Sequence, residues 1–214
     1  MPVKSKIFRL RKLICHQLTA WNTGGEGVHS PTLFYLVRMI VYDDNAYYAY
    51  SQIEQQRAAL MRRSDVPKPL TSVKTGQLLF RLTNYLGSNS GKALTIVEAG
   101  HLPDISSAYL AAPAERNTVL SYETLPRKLP KHADLAYLHT PDSEAALAMF
   151  RQLLPAFSDH SIAVVSGIHC SPQAEQTWQA IQAMQQVTST LDLFDVGIVL
   201  FNRHYIRKHY KLRF

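Results

Sequence analysis

No run of apolar residues in this 214-residue chain is long enough to cross a bilayer. The longest, around Ile162–Val165 and Val196–Phe201, fall far short of the roughly 20 residues that a spanning helix needs. Near the start, basic residues are threaded among Ile7, Phe8, Leu10, Leu13 and Ile14, so no secretory signal is read there. Cysteine is scarce as well. Cys15 and Cys170 stand far apart and without metal-ligand spacing, which excludes a disulfide framework or a zinc site as the organising element. The protein is expected in the cytoplasm with reduced thiols. Charged residues make up only 18% of the chain against 46% hydrophobic ones, a balance that excludes disorder because enough apolar surface is available to offset the ordering entropy.

The net charge of +7 is unevenly placed. Lys4, Lys6, Arg9, Arg11 and Lys12 open the chain, and Arg203, Arg207, Lys208, Lys211 and Arg213 close it, with no acid among them. These ten cations leave 13 basic residues against 16 acidic ones in between, so the body is about −3 and the basicity belongs to the ends. Solvated basic tips are the plain reading, and an anionic partner is the other. Binding to nucleic acid, if any, is expected to be non-specific and sensitive to salt, because it would rest on phosphate neutralisation alone. Tyr205 and Tyr210, set among the terminal cations, read as sheet-packing residues before they read as base-stacking ones.

Hydrophobic periodicity divides the chain into a helical first part, 1–90, and an α/β core, 91–214, within one structural domain. Lys4–Leu18 is an amphipathic helix with Ile7, Leu10, Ile14 and Leu18 near helical spacing, expected to dock through that stripe or to pair with a copy of itself. Three glycines within Gly24–Gly27 end it. Ser30-Pro31 opens a second helix, and residues 47–63 and 74–86 form two more. Ala93–Glu98, Thr118–Tyr122, Leu135–Leu138 and Ile162–Val165 are short apolar runs, each leading into a loop, as buried parallel strands do. Helices are expected near Ile105, near Pro141 and near Pro172. Thr190–Asp195, Gly197–Phe201 and His209–Phe214 then follow without a helix between them, so the sheet should close with an antiparallel hairpin.

The joint from Thr95-Ile-Val-Glu98-Ala-Gly100 into Ile105-Ser-Ser is a strand, a glycine turn and a helix. Together with Gly27–Phe34, Tyr47–Arg57, Gly76–Tyr85 and Leu193–Phe201, it resembles a group of class I S-adenosylmethionine-dependent methyltransferases related to the small-molecule O-methyltransferases. The resemblance implies a Rossmann-like α/β fold, mostly parallel, with an antiparallel C-terminal hairpin behind the helical extension. It also implies a cofactor, S-adenosylmethionine, across the carboxyl ends of the first strands. On that reading Glu98 and Gly100 begin the turn against the methionine part, Ser106 is the small hydroxyl residue of the first helical turn, and Glu123 takes the ribose hydroxyls, for which a carboxylate supplies paired acceptors.

Three departures from the family pattern bear on function. The second glycine of the turn is replaced by Asp104, whose bulk and charge would oppose the cofactor carboxylate. Only ten residues separate Glu123 from Asp134, too few for the helix and strand that belong there, so one strand and one wall of the adenine pocket are expected to be lost. The aspartates that hold magnesium in metal-dependent relatives are replaced by sequences around His139 and His169, so no metal is expected. His169, just beyond a strand end, is a catalytic candidate by position, and His29 is a second, with capping or orienting its loop as the plainer role. The expected function is therefore that of a methyltransferase-like protein with an eroded site, weak or absent in cofactor binding. The alternatives are an active, metal-independent enzyme on a small molecule, and a binding or scaffolding module that uses its basic ends.

Overall fold

The computed structural model describes residues 3–20, 23–28, 30–65, 68–102 and 104–214, with the backbone alone for residues 3–6 and 23. His29 and Pro103 lie outside the described residues. Seven strands form one sheet: β1 (Thr95–Gly100), β2 (Thr118–Tyr122), β3 (Leu135–His139), β4 (Ile162–Ser166), β5 (Ser189–Asp192), β6 (Val196–Leu200) and β7 (Lys208–Lys211). Their order is β2-β1-β3-β4-β6-β5-β7. Only β6 runs against the others, antiparallel to both β4 and β5. The hairpin expected from the C-terminal pattern is thus present, and β7 adds a further strand parallel to β5.

Both faces of this sheet are covered, which is why its central strands read as continuous apolar runs. Ile96, Leu135, Tyr137, Val164, Leu191 and Ile198 face a layer that includes α2 (Pro31–Leu36), α4 (Val73–Ser90) and α5 (Ser106–Ala111). Val97, Ala136, Leu138, Val165 and Val199 face α6 (Ser143–Leu153) and α7 (Pro172–Ala183). Tyr210 is buried and Tyr205 is half-buried against the same core. Residues 123–134, between β2 and β3, hold neither helix nor strand, and β2 is the edge of the sheet. The sheet nevertheless has seven strands, so the expected loss of a strand is not seen in the count, and β7 forms the edge opposite β2.

The N-terminal helices join the core through close approach and through a buried cation. α3 (Tyr48–Arg62) and α4 pack on α5, where the Tyr109 ring lies over Gly76 and its hydroxyl donates to Glu54. A Cβ on Gly76 would stand 2.3 Å from that ring. Arg81, buried in α4, donates to the carbonyls of Ile40 at 2.7 Å and Val41 at 3.2 Å, satisfying the end of the π-helical turn Val37–Val41. α6 starts two residues later than Pro141 suggests, because Asp142 and not Thr140 caps it through the amides of Glu144 and Ala145.

α1 (Val3–Thr19) docks on the body, but not by the expected face. Arg9 pairs with Asp195 at 2.6 Å, Lys12 with Glu175 at 2.6 Å, and buried His16 with Asp192 at 3.1 Å. Three carboxylates at the carboxyl end of β5 and in the first turn of α7 attract the polar side of the helix, and this charge match sets its rotation. Ile7, Leu10, Ile14 and Leu18 face solvent as a result.

Gly76→Ala should force Tyr109 off its seat between α3 and α4, an overpacking cost of about 1–3 kcal/mol. Urea unfolding would measure it, and an unchanged midpoint would contradict the close approach.

Candidate functional site

The residues singled out by sequence converge, in part, at the carboxyl end of β1. Glu98 is fully buried and its carboxylate accepts three hydroxyl donors: Ser106 and Ser107 from α5, the latter at 2.5 Å, and Ser121 from β2 at 2.8 Å. A carboxylate offers about four acceptor positions. Most of its capacity is consumed within the chain, and Ser106 is committed to it.

Asp104 continues this network toward the helical layer. Its Oδ2 accepts from the amide of Thr71 at 3.0 Å and from the Thr71 hydroxyl at 2.7 Å, and its Oδ1 accepts from the amide of Ile105 at 2.7 Å. The Thr71 hydroxyl is in turn 3.0 Å from the buried Tyr137 hydroxyl. Burial opposes ionisation of Asp104, but His139, Thr71 and the Ile105 amide outweigh it and hold the carboxyl below its ordinary pKa. Burial, with the charges of Asp104 and Glu98, raises the Tyr137 phenol well above its usual value against the opposing hydrogen bonds to Thr71 and Ser166. Asp104 thus does more than favour the start of α5, since it ties the loop ahead of α4 to the sheet.

His139 sits between the two carboxylates. Its Nε2 is 3.5 Å from Glu98 Oε1 and its Nδ1 is 3.4 Å from Asp104 Oδ2, distances at which charge is felt although neither contact has hydrogen-bond geometry. The ring stacks on Tyr137 with centroids 4.7 Å apart and planes 6° from parallel. Gly100 is the register partner of His139. Its φ of 122° is a conformation that favours glycine, and a Cβ there would meet the His139 carbonyl at 2.9 Å. Packing against the neighbouring strand therefore requires this glycine whether or not a ligand approaches. Glu123, one residue beyond β2, is exposed beside this cluster and is not drawn into it. Sequence alone marks Asp104 as a departure but misses Thr71 and Tyr137 as its surroundings, and Ser121 as a partner of Glu98. The acidic-serine pattern Glu98…Ser106-Ser107 was the only available signal.

His169 belongs to a different cluster. Its Nε2 is 2.8 Å from Asp192 Oδ2, across from His16 on the other oxygen, and the ring lies against Phe194. The Nδ1 atoms of His16 and His169 are buried without a hydrogen-bond partner. Phe194 takes φ 73°, unusual for a residue with a side chain, and donates its amide to Asp192 at 3.0 Å.

Among solved structures, the O-methyltransferase from Bacillus cereus in complex with SAH aligns with a TM-score of 0.51 and 14% identity, covering 76% of this chain and 94% of that one. The chain shares the fold of that O-methyltransferase. The plantazolicin methyltransferase BpumL in complex with SAH overlaps with a TM-score of 0.32 at 13% identity over 60% of this chain and 70% of that chain. The mitomycin 7-O-methyltransferase MmcR overlaps with a TM-score of 0.36 at 14% identity over 91% and 67%. No family model and no curated protein matches the sequence.

Within this methyltransferase fold, two cavities are notable. One of about 10 Å³, room for a single water, lies between the end of β4 and helices α6 and α7, lined by Thr140, Ser166, Gly167 and Trp178 among others. A groove of about 850 Å³ opens at the opposite end of the sheet, near Leu94, Asp134, Ser161 and Tyr205. Neither is lined by Glu98, Gly100, Ser106 or Glu123. Among the described residues, no group of three or more His, Cys, Asp or Glu side chains is arranged to hold a metal ion.

Burial opposes ionisation of Asp192, but His16, His169 and the Phe194 amide outweigh it and hold the carboxyl far below its usual value of 3.8. A folded-state pKa below the unfolded one means that this stabilisation is present above about pH 4 and is lost as pH falls toward the folded value. Asp192→Asn should remove that acid limb and cost roughly 1–3 kcal/mol, by taking from two buried histidine rings the carboxylate that both contact. Unfolding by urea as a function of pH would show it, and a pH profile identical to that of the unmodified protein would contradict the assignment.

Proposed function

We propose that this chain keeps a methyltransferase fold while its own side chains close the cofactor site, so that it binds S-adenosylmethionine weakly or not at all and acts without methyl transfer. The observation that carries the reading is the Asp104 carboxylate, buried against Thr71 at the turn after β1 where the resemblance expects a glycine and a bound ligand. A cofactor carboxylate placed there would meet a fixed like charge. At about 4 Å that repulsion costs roughly 1 kcal/mol in water and several times more where water is excluded. Glu98 adds a second obstacle, because three serines take most of its acceptor capacity. The present donor set therefore does not fit the cofactor.

One observation favours the alternative of an active, metal-independent enzyme. Glu123 is exposed one residue beyond Tyr122, the register partner of Ala99, at the strand end where the family resemblance asks for an acid to receive a ribose. For that reading to hold, Asp104 and Thr71 would have to part and the short 123–134 connection would have to supply an adenine wall.

Thermal unfolding with millimolar S-adenosylmethionine tests the proposal. A ligand at about 100 times its dissociation constant adds roughly 2.7 kcal/mol, enough to raise the midpoint of a chain this size by several degrees. No shift is expected for the unmodified protein. Micromolar binding by calorimetry would overturn the proposal in favour of the active enzyme.

A further inference from the structure

The stripe that α1 turns to solvent is continuous. Ile7, Leu10, Ile14 and Leu18 follow one another at spacings of three and four, so they share one side of the helix, and they are 56%, 59%, 54% and 78% exposed. At 1.5 Å per residue the row runs for about 17 Å. Single exposed aliphatic side chains are ordinary on protein surfaces, whereas an aligned row marks a contact surface.

The helix that carries this row has charge of one sign. α1 contains no acid at all. Arg9 and Lys12 are engaged by Asp195 and Glu175 on the body side, and Arg11 stays exposed with no acid partner among the described residues. The C-terminal strand brings further cations to the same place. Arg213 donates from Nε to the Gln17 carbonyl at 3.1 Å, and the Leu212 amide donates to the carbonyl of Asp192, whose side chain holds His16. Lys211 and Arg213 are exposed. The two basic ends, separated by most of the sequence, thus meet beside the apolar row.

We propose that this face docks on an anionic lipid bilayer, with α1 lying in the plane of the interface. Its aliphatic row enters the acyl boundary, and Arg11, Lys211 and Arg213 meet headgroup phosphates. Charge complementarity decides between occupants. A second copy paired through the same row would set an acid-free helix against itself, with cation beside cation. A nucleic acid would match the cations but leave four aliphatic side chains with nothing to bury them. The inverted docking of α1 suits a lipid surface, because ion pairs hold the polar side to the body and the row is presented without any part of the fold opening. This inference does not depend on the state of the cofactor site.

Cosedimentation of the full chain with phosphatidylserine/phosphatidylcholine vesicles, against pure phosphatidylcholine, tests it. The unmodified protein should bind the anionic vesicles at low salt and lose that binding at high salt or without phosphatidylserine. The double variant L10Q/I14Q, altered only at exposed positions and checked for an unchanged thermal midpoint, should partition about tenfold less. Failure of the unmodified protein to bind anionic vesicles at low salt would overturn the proposal, as would full binding by L10Q/I14Q. A dimer in sedimentation velocity that the same substitutions abolish would give the row to a second copy. Binding to single-stranded RNA that outcompetes vesicles and ignores L10Q/I14Q would give the surface to nucleic acid. Either result would overturn it too.

Discussion

A carboxylate removed from water must be met by donors, and at the carboxyl end of this sheet Glu98, Asp104 and Asp192 all take theirs from the chain itself. The Asp104 contact to Thr71 has the widest consequences. It fastens the segment ahead of α4 to the turn after β1, and so couples the N-terminal helical layer to the strand end where a nucleotide-binding α/β fold ordinarily receives its ligand. Tyr137 and His139, on alternate positions of β3, lie on the same face and complete the network. Substituting one side chain in such a network leaves its partners short of a donor or acceptor, which is why a buried polar cluster resists being rebuilt around a ligand.

The same requirement organises the far side of the strand ends. Asp192 draws His169 from the loop after β4 and His16 from α1, while Asp195 and Glu175 draw Arg9 and Lys12. A helix whose apolar stripe would ordinarily seek the core is thereby held by its polar face. Satisfying the carboxylates and presenting an apolar row to the outside are two results of one arrangement.

Much of this was legible beforehand. Thr118–Tyr122 is a strand with the bounds its apolar run suggests, and Ser171 caps a helix opened by Pro172, because both depend on neighbours in sequence. The short stretch between Glu123 and Asp134 left no room for a helix or strand, and it holds neither. What could not be read were choices made by distant partners. The periodicity of α1 identified its stripe correctly, but its orientation depends on Glu175, Asp192 and Asp195, more than 160 residues away. Asp104 stood out as a departure from a glycine, yet its partner Thr71 lies 33 residues earlier on another element. For Gly100, chain pattern suggested room for a ligand, while the register with His139 supplies a packing reason for the same residue.

The central claim is that the chain's own side chains occupy the end of β1, and a crystal structure grown with saturating S-adenosylhomocysteine tests it most directly. The account predicts the Thr71 amide and hydroxyl still bound to Asp104, the His139 ring still stacked on Tyr137, and no ligand over Gly100. A ligand lying between Gly100 and Glu123, with the Thr71–Asp104 contact broken to admit it, would contradict the account.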